Sequence, residues 1–345
     1  MSLGRYILNR LLQSVPVVIG IITITFILIN LMPGDPIRIM IVEGGADPEV
    51  IRKLESRYGL DQPLHERYFN YLLGVFQGDL GESIHYGVPV VEKIFERLPA
   101  TLLLVVSAFT FAISMAVPLG VLAAHRKNKP TDHLSRIVAL IGVSTPSFWI
   151  GLLLIILFAF HLQWLPSSGL IYPWADPDSV RFLEGGLLGS TLVSIHPRLA
   201  VLYQAARHLL LPTIALGTLQ MAAIMRIERA EMLETLQADY VELARAYGVS
   251  ERTILRRHAF RVAQLPVVTI VGLNLTSALG GAVLIETVFN INGLGRLIIE
   301  AIQNLDYPLV MGTTIFFGLV FVIGVIITDV SYAYIDPRVS YGERE

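Results

Sequence analysis

A chain of 345 residues with 16% charged residues and a mean hydropathy of +0.62 is not an ordinary soluble domain, since soluble chains carry about 25% charged residues. The net charge of −2 says little about partners, because the charges are sorted along the chain. With no cysteine, a disulfide framework and a thiolate metal site are both excluded.

Uncharged runs fill Leu11–Met32, Leu98–Ala124, Ile137–Phe160, Leu209–Met225, Val262–Ile285 and Tyr307–Thr328. A bilayer core about 30 Å thick needs about 20 apolar residues at about 1.5 Å each. The sequence therefore predicts an all-α integral membrane protein with six transmembrane helices. The short run at Leu209–Met225 is completed by His208 and Arg226, whose side chains are expected to snorkel into the headgroups. Arg5 and Arg10 precede the first run as in a secretory signal. That run is too long for one and lacks an A-x-A site, so a retained first span is expected.

Charge placement orients the chain. Arg126, Lys127, Lys129 and Arg136 lie between the second and third runs, and seven arginines from Arg226 to Arg261 lie between the fourth and fifth. Only Arg296 lies between the fifth and sixth. The positive-inside rule places the basic segments and both termini in the cytoplasm. Segment 33–97 is then external; a stretch that long translocates largely regardless of its charges.

The external segment opens on Pro33-Gly34-Asp35-Pro36, which ends the first helix. Within it, Asp47–Tyr58 and Gln62–Phe76 read as short amphipathic helices, the second with Leu64, Tyr68, Tyr71 and Leu72 on one face. A short loop around Lys127–His133 follows the second span. Ser144-Thr145-Pro146-Ser147 interrupts the third, where Pro146 frees a carbonyl and introduces a kink. A second external segment runs from about His161 to Arg207, with Trp164, Tyr172 and Trp174 suited to a membrane–water interface. The domain division expected is 1–98, a first span with its external segment, and 99–345, a core of five spans.

Between the fourth and fifth spans, residues 237–248 read as a compact helix with both ends marked. Asp239 is the expected N-cap, with Glu242 closing a capping box. Gly248 supplies the left-handed residue that ends it. Ser250 caps a second helix running through Arg261 towards Pro266, so that a helix-turn-helix lies on the inner membrane surface. Ala244 and Gly248, four apart, leave a smooth patch for a second protein.

Catalytic signals are absent. No G-x-x-x-x-G-K-[ST] occurs, so no P-loop holds ATP. His65-Glu66 begins a zinc motif, but Phe69 stands where its second histidine belongs. No G-x-S-x-G supports a nucleophile elbow, which argues against an intramembrane hydrolase. No catalytic residue and no metal site is expected.

Polar residues inside spans are costly and have a reason. Asn274 and Ser277 share a face of the fifth span, with Gly281 continuing the small-residue stripe. Asn274 lies roughly 18 Å along that helix, near the midplane, and Gln220 is at a similar depth in the fourth. Two readings stand: helix–helix packing through amide and hydroxyl bonds, or a polar translocation pathway. Glu286, roughly 36 Å along the fifth helix, is expected at the interface, as is Asp329 at the end of the sixth. Neither is placed like a proton-relay carboxylate, which argues against a proton-coupled carrier, while the polar midplane residues keep a self-sufficient secondary carrier as an alternative.

Glu242, Ala244 and Gly248 fall where the EAA loop of ATP-binding cassette (ABC) importer permeases has its E, second A and G, with Leu243 replacing the first alanine and Leu265-Pro266 closing late. Nearly end to end, the chain resembles the dipeptide/oligopeptide permease family. The resemblance is carried by Leu31-Met32-Pro33-Gly34-Asp35-Pro36, Tyr58-Gly59-Leu60-Asp61-Gln62-Pro63-Leu64, Gly78-Asp79-Leu80-Gly81 and Arg97-Leu98-Pro99-Ala100-Thr101. It continues in Pro146-Ser147-Phe148-Trp149, Glu286-Thr287-Val288-Phe289, Asp306-Tyr307-Pro308 and Asp336-Pro337-Arg338. The N-terminal block is similar to the first of the two permeases in such systems.

The resemblance implies a type I importer permease in a prokaryotic cell membrane, forming half of a pathway for di- or oligopeptides. It implies a second related permease, two ATPase subunits that handle ATP and Mg, and an external solute-binding protein. It also implies that Asp239, Glu242, Leu243, Ala244, Arg245 and Gly248, within a coupling loop at about 237–266, dock on the ATPase. The segment 161–207 is longer than in typical members. Importers of nickel chelates and of oligosaccharides belong to the same family and remain alternative substrate classes.

Overall fold

The computed structural model describes residues 3–31, 61–179 and 196–335, together with Glu49 and Ser56. For residues 3–9, 276–277, 279–281 and 329–335 the backbone alone is described. Apart from Glu49 and Ser56, the expected helix Asp47–Tyr58 falls outside these residues, as does the Pro33–Pro36 stop. The described chain is almost wholly helical; a lone bridge between Glu82 and Pro89 is its one extended pairing.

In chain order the helices are α1 (Leu3–Leu31), α2 (Leu64–Phe76), α3 (Val90–His125), α4 (Pro130–Ser144), α5 (Ser147–Leu154), α6 (Pro197–Leu236), α7 (Asp239–Ala246), α8 (Glu251–Thr253), α9 (Phe260–Gly281), α10 (Val283–Val288), α11 (Leu294–Gln303) and α12 (Tyr307–Ile335). A π-helical turn, Ile155–His161, extends α5, and another, Ile254–Ala259, joins α8 to α9. Among the described residues five helices are long and apolar enough to cross a membrane, and α4 with the extended α5 makes a sixth if that bent pair is one span.

The third span departs from a kinked helix. α4 and α5 meet at 102°, because Pro146 disfavours helical backbone at the residue before it. Thr145 is extended (φ −99°, ψ 126°) and α5 restarts after Pro146. Each arm, about 22 Å long, is too short to cross alone. The fourth span is longer than its apolar run: α6 begins at Pro197 and takes in the end of the segment expected to be external. His208 accordingly does not snorkel; it is buried, its Nδ1 2.9 Å from the Gln204 carbonyl oxygen one turn back.

The chain divides into two compact units, residues 1–99, 293–326 and 341–345 forming the first and residues 100–292 and 327–340 the second. In the first, Ile29, Val90, Ile94, Leu297 and Leu309 form the core. α2 lies on α1 through its tyrosine face, with the Tyr68 and Thr23 hydroxyls 2.7 Å apart and the Tyr68 ring edge-on to Phe26. Asp306, fully buried, accepts from the Ser83 hydroxyl, from the amides of Ile84 (3.2 Å) and His85 (3.0 Å), and from Leu309 N in the first turn of α12. One carboxylate thus caps α12 and clamps the loop before α3.

In the second unit α3, α5, α6, α9 and α10 share a core around Leu104, Leu211, Ile285 and Phe289. α9 stops at Gly281, and α10 carries Glu286 into that core rather than to an interface. Its carboxylate is fully buried and accepts from the Thr101 hydroxyl at 2.6 Å. The break at Ala282 (ψ −4°) makes the distance along a single helix the wrong measure. α4 seats on α6 through its smallest residues: a Cβ on Gly142 would come within 2.8 Å of the Ala222 Cβ.

Candidate coupling site

The segment linking α6 to α9 is short and held from beneath. Val241 of α7 and Ile254 of the π-helical turn are both fully buried, and Met232, Ala259 and Ala263 pack around Ala124 at the end of α3. A single buried side chain fixes which way the eight residues of α7 face. With Val241 inward, the opposite face presents Asp239, Glu242, Leu243 and Ala246.

The ends differ from the sequence expectation in one respect. α7 begins one residue after an extended Ala238, whose carbonyl accepts from Val241 N (2.9 Å) and Glu242 N (3.3 Å). Asp239 is therefore the first helical residue rather than the N-cap. No side-chain capping bond forms, and the capping box with Glu242 is absent. Both carboxylates still lie in the first turn, where they oppose the positive end of the helix dipole. Ser250 stands at the N-cap position of α8, but its hydroxyl meets the Thr253 hydroxyl at 2.9 Å instead of a backbone amide.

The C-terminal stop has the expected conformation. Gly248 is left-handed (φ 75°), its amide bonds Arg245 O (2.9 Å), and Val249 N bonds Ala244 O (3.1 Å). That pair of bonds is a Schellman motif. Open space surrounds Gly248, so its backbone, not crowding, requires the glycine.

Arg245 does not project freely. Its Nε donates to Glu251 at 2.8 Å and its Nη1 to the Leu236 carbonyl at 3.3 Å, strapping α7 to its neighbours on both sides. Ala244 is half-buried and Gly248 exposed, and the outer surface of α7 extends beyond the smooth patch expected of these two. That surface is apolar with an acidic border. Leu243 is 57% exposed, Tyr247 81% and Tyr240 43%, beside Asp239 and Glu242. Partial burial pushes the Tyr240 phenol above its ordinary value, so it stays a neutral hydroxyl. The Glu242 carboxylate makes no hydrogen bond or ion pair with the described residues.

Two polar pairs missed by the sequence reading brace the helices behind this surface. Asp132, fully buried at the start of α4, receives Arg229 Nε at 2.6 Å and Nη2 at 2.9 Å, plus the amide of left-handed Asn128 at 2.9 Å. Glu228, also fully buried, takes the Gln264 amide on both oxygens at 2.9 and 2.7 Å. Its stem lies over Gly120, where a Cβ would come within 2.6 Å of it. Adjacent residues on α6 thus reach α4 and α9. The only sequence sign was a Glu-Arg pair just past an apolar run.

The expected pathway residues lie on α6 and α9. Gln220 and Asn274 are each half-buried, and neither side chain bonds any described residue. Ser277 and Gly281 lie on α9, but their side chains are outside the described set. Among the described residues no group of three His, Asp or Glu is arranged to hold a metal ion.

Residues 116–341 match the family described as binding-protein-dependent transport system inner membrane component, and residues 3–104 match its N-terminal companion. The chain belongs to this permease family. It is 39% identical over 337 residues to the dipeptide transport system permease protein DppB of Escherichia coli (strain K12), covering 98% of this chain and 99% of that protein. The DppB of Alkalihalophilus pseudofirmus is 39% identical over 336 residues, covering 97% and 99%. The probable D,D-dipeptide transport system permease protein DdpB of E. coli (strain K12) is 39% identical over all 345 residues, covering 100% of both chains. The permease is a multi-pass inner membrane protein with the type I ABC importer architecture.

Proposed function

We propose that this permease is one of two related membrane subunits that form the pathway of a prokaryotic ATP-driven peptide importer. Its own chain does no chemistry. ATP and Mg²⁺ are handled by two separate ATPase subunits, and an external binding protein delivers the peptide. Both termini are cytoplasmic, so the α6–α9 linker faces the ATPases. Support for the peptide comes from relatives named for peptide transport that align over essentially the whole chain.

The observation that carries the coupling role is α7 itself. It is anchored inward by Val241, strapped by Arg245 and closed by Gly248, and it leaves Leu243, Tyr247 and Tyr240 exposed beside two carboxylates. Such a short braced helix transmits a rigid-body push with little loss. Asp239, Glu242 and Leu243 make the contact in this reading, while Ala244, Arg245 and Gly248 hold its shape. Gln220, Asn274, Ser277 and Gly281 line the pathway; the amides of the first two, which bond no described residue and can bond water or peptide, support this.

The test is uptake of a labelled dipeptide into proteoliposomes holding the co-expressed complex with its binding protein. Uptake should require ATP inside. Uptake by this chain alone under an ion gradient would replace the reading with a secondary carrier, and nickel-chelate or oligosaccharide uptake without peptide uptake would replace the substrate.

A further inference from the structure

α4 buries only Asp132, Ala139 and Gly142; the rest of its surface, from Leu134 to Val143, is largely apolar and exposed. Beside the seam with α6 lies a cavity of about 310 Å³, at the small end of ligand-sized pockets. Its apolar wall is Leu140, Val143 and Met225, and two arginines, Arg136 and Arg226, stand on its lining. Arg229 also reaches it, but that guanidinium is committed to Asp132.

The charges do not balance. Arg136 is exposed, touching His133 Nδ1 at 2.6 Å and lying 3.8 Å from Asp132. Arg226 is exposed and makes no hydrogen bond or ion pair with any described residue. Three arginines face one aspartate, which is already saturated by Arg229 and the Asn128 amide. Arg136 follows the basic turn Arg126–Lys129, and Arg226 ends the apolar run of α6. Both therefore stand where hydrocarbon gives way to headgroups. A soluble anion would leave the Leu140–Val143–Met225 wall uncovered, and an acyl chain alone would leave the guanidinium pair unmet.

We propose that this cavity binds one anionic phospholipid, its phosphate between Arg136 and Arg226 and an acyl chain along Leu140, Val143 and Met225. Arginine forks suit phosphate oxygens, and basic pockets between membrane helices select acidic headgroups. The bound lipid sits against the α4–α6 seam, next to the Asp132–Arg229 clamp, so it braces the helix that leads into α7.

The test uses the purified, delipidated complex, with dioleoylphosphatidylglycerol and dioleoylphosphatidylcholine as probes and native mass spectrometry as readout. Phosphatidylglycerol should bind at one site in preference to phosphatidylcholine. An R136Q/R226Q variant should bind phosphatidylglycerol about thirty-fold more weakly while its phosphatidylcholine binding is unchanged. R226K, which keeps the charge, should retain most of the preference, and V143W should weaken both lipids by filling the wall. Both need only remain monodisperse. Equal phosphatidylglycerol binding by the double variant would overturn the proposal. So would displacement of the lipid by inorganic phosphate at millimolar concentration, or a photo-crosslinker at Leu140 that captures the partner permease instead of lipid.

Discussion

Replacing Gly248 separates a backbone requirement from a docking contact. At φ 75° with open space around it, a side chain at 248 meets no clash, only the left-handed penalty. For a branched residue that penalty is about 1–2 kcal/mol, enough to shift the population of the ordered α7 end by roughly five- to thirty-fold. Asparagine enters the left-handed region far more readily. G248V should therefore lose most ATP-driven uptake while remaining inserted at normal level, and G248N should keep a large part of it. The assay is dipeptide uptake and ATP hydrolysis in the same proteoliposomes, with subunit content measured by quantitative blotting. The valine variant should hydrolyse ATP without transport or lose stimulation by the binding protein. If G248N and G248V fail equally, the strain argument is wrong and Gly248 is needed because a partner surface presses on it.

Three further expectations follow from the buried polar groups and the pathway. R229A, which leaves Asp132 charged and buried with the Asn128 amide and Arg136 at 3.8 Å as its remaining partners, should destabilise the protein by about 3–5 kcal/mol, read as a lower temperature for loss of monodisperse protein. The D132L/R229M pair should recover most of that loss, and a double variant as unstable as R229A would show that the pair does more than satisfy itself. D306A removes the cap of α12 and the anchor of the preceding loop together, at a cost of about 2–4 kcal/mol. Limited proteolysis should then cut near residues 79–89, and an unchanged digestion pattern would refute the clamp. Because the chain has no native cysteine, single cysteines at Gln220 and Asn274 can be labelled with a water-soluble thiol reagent. Labelling in at least one nucleotide state is expected, and protection in every state would return both residues to helix packing.

What was legible in the sequence was whatever depends on local composition. Spans followed from uncharged runs, and the end of α7 followed from one glycine. Harder to read was anything fixed by where a helix stops. Glu286 was placed by counting along a continuous helix, yet the chain turns at Ala282 and carries it into the core. Pro146 announced a break but not its 102° angle, which depends on the extended backbone at Thr145. Asp239 looked like a cap because its type suits one, and Ala238 took that position because its carbonyl already accepts from the first turn. The clamps made by Asp132 and Glu228 join residues 97 and 36 positions apart, a separation no local pattern reveals.

The central claim is that this chain works only as one membrane subunit of a larger importer. The most direct measurement is purification from the native host in mild detergent, with mass spectrometry of everything that accompanies it. The account predicts a second related permease and P-loop ATPases in fixed proportion. Recovery of this chain alone, from extracts in which other membrane complexes stay intact, would contradict it and reduce α7 to a structural turn.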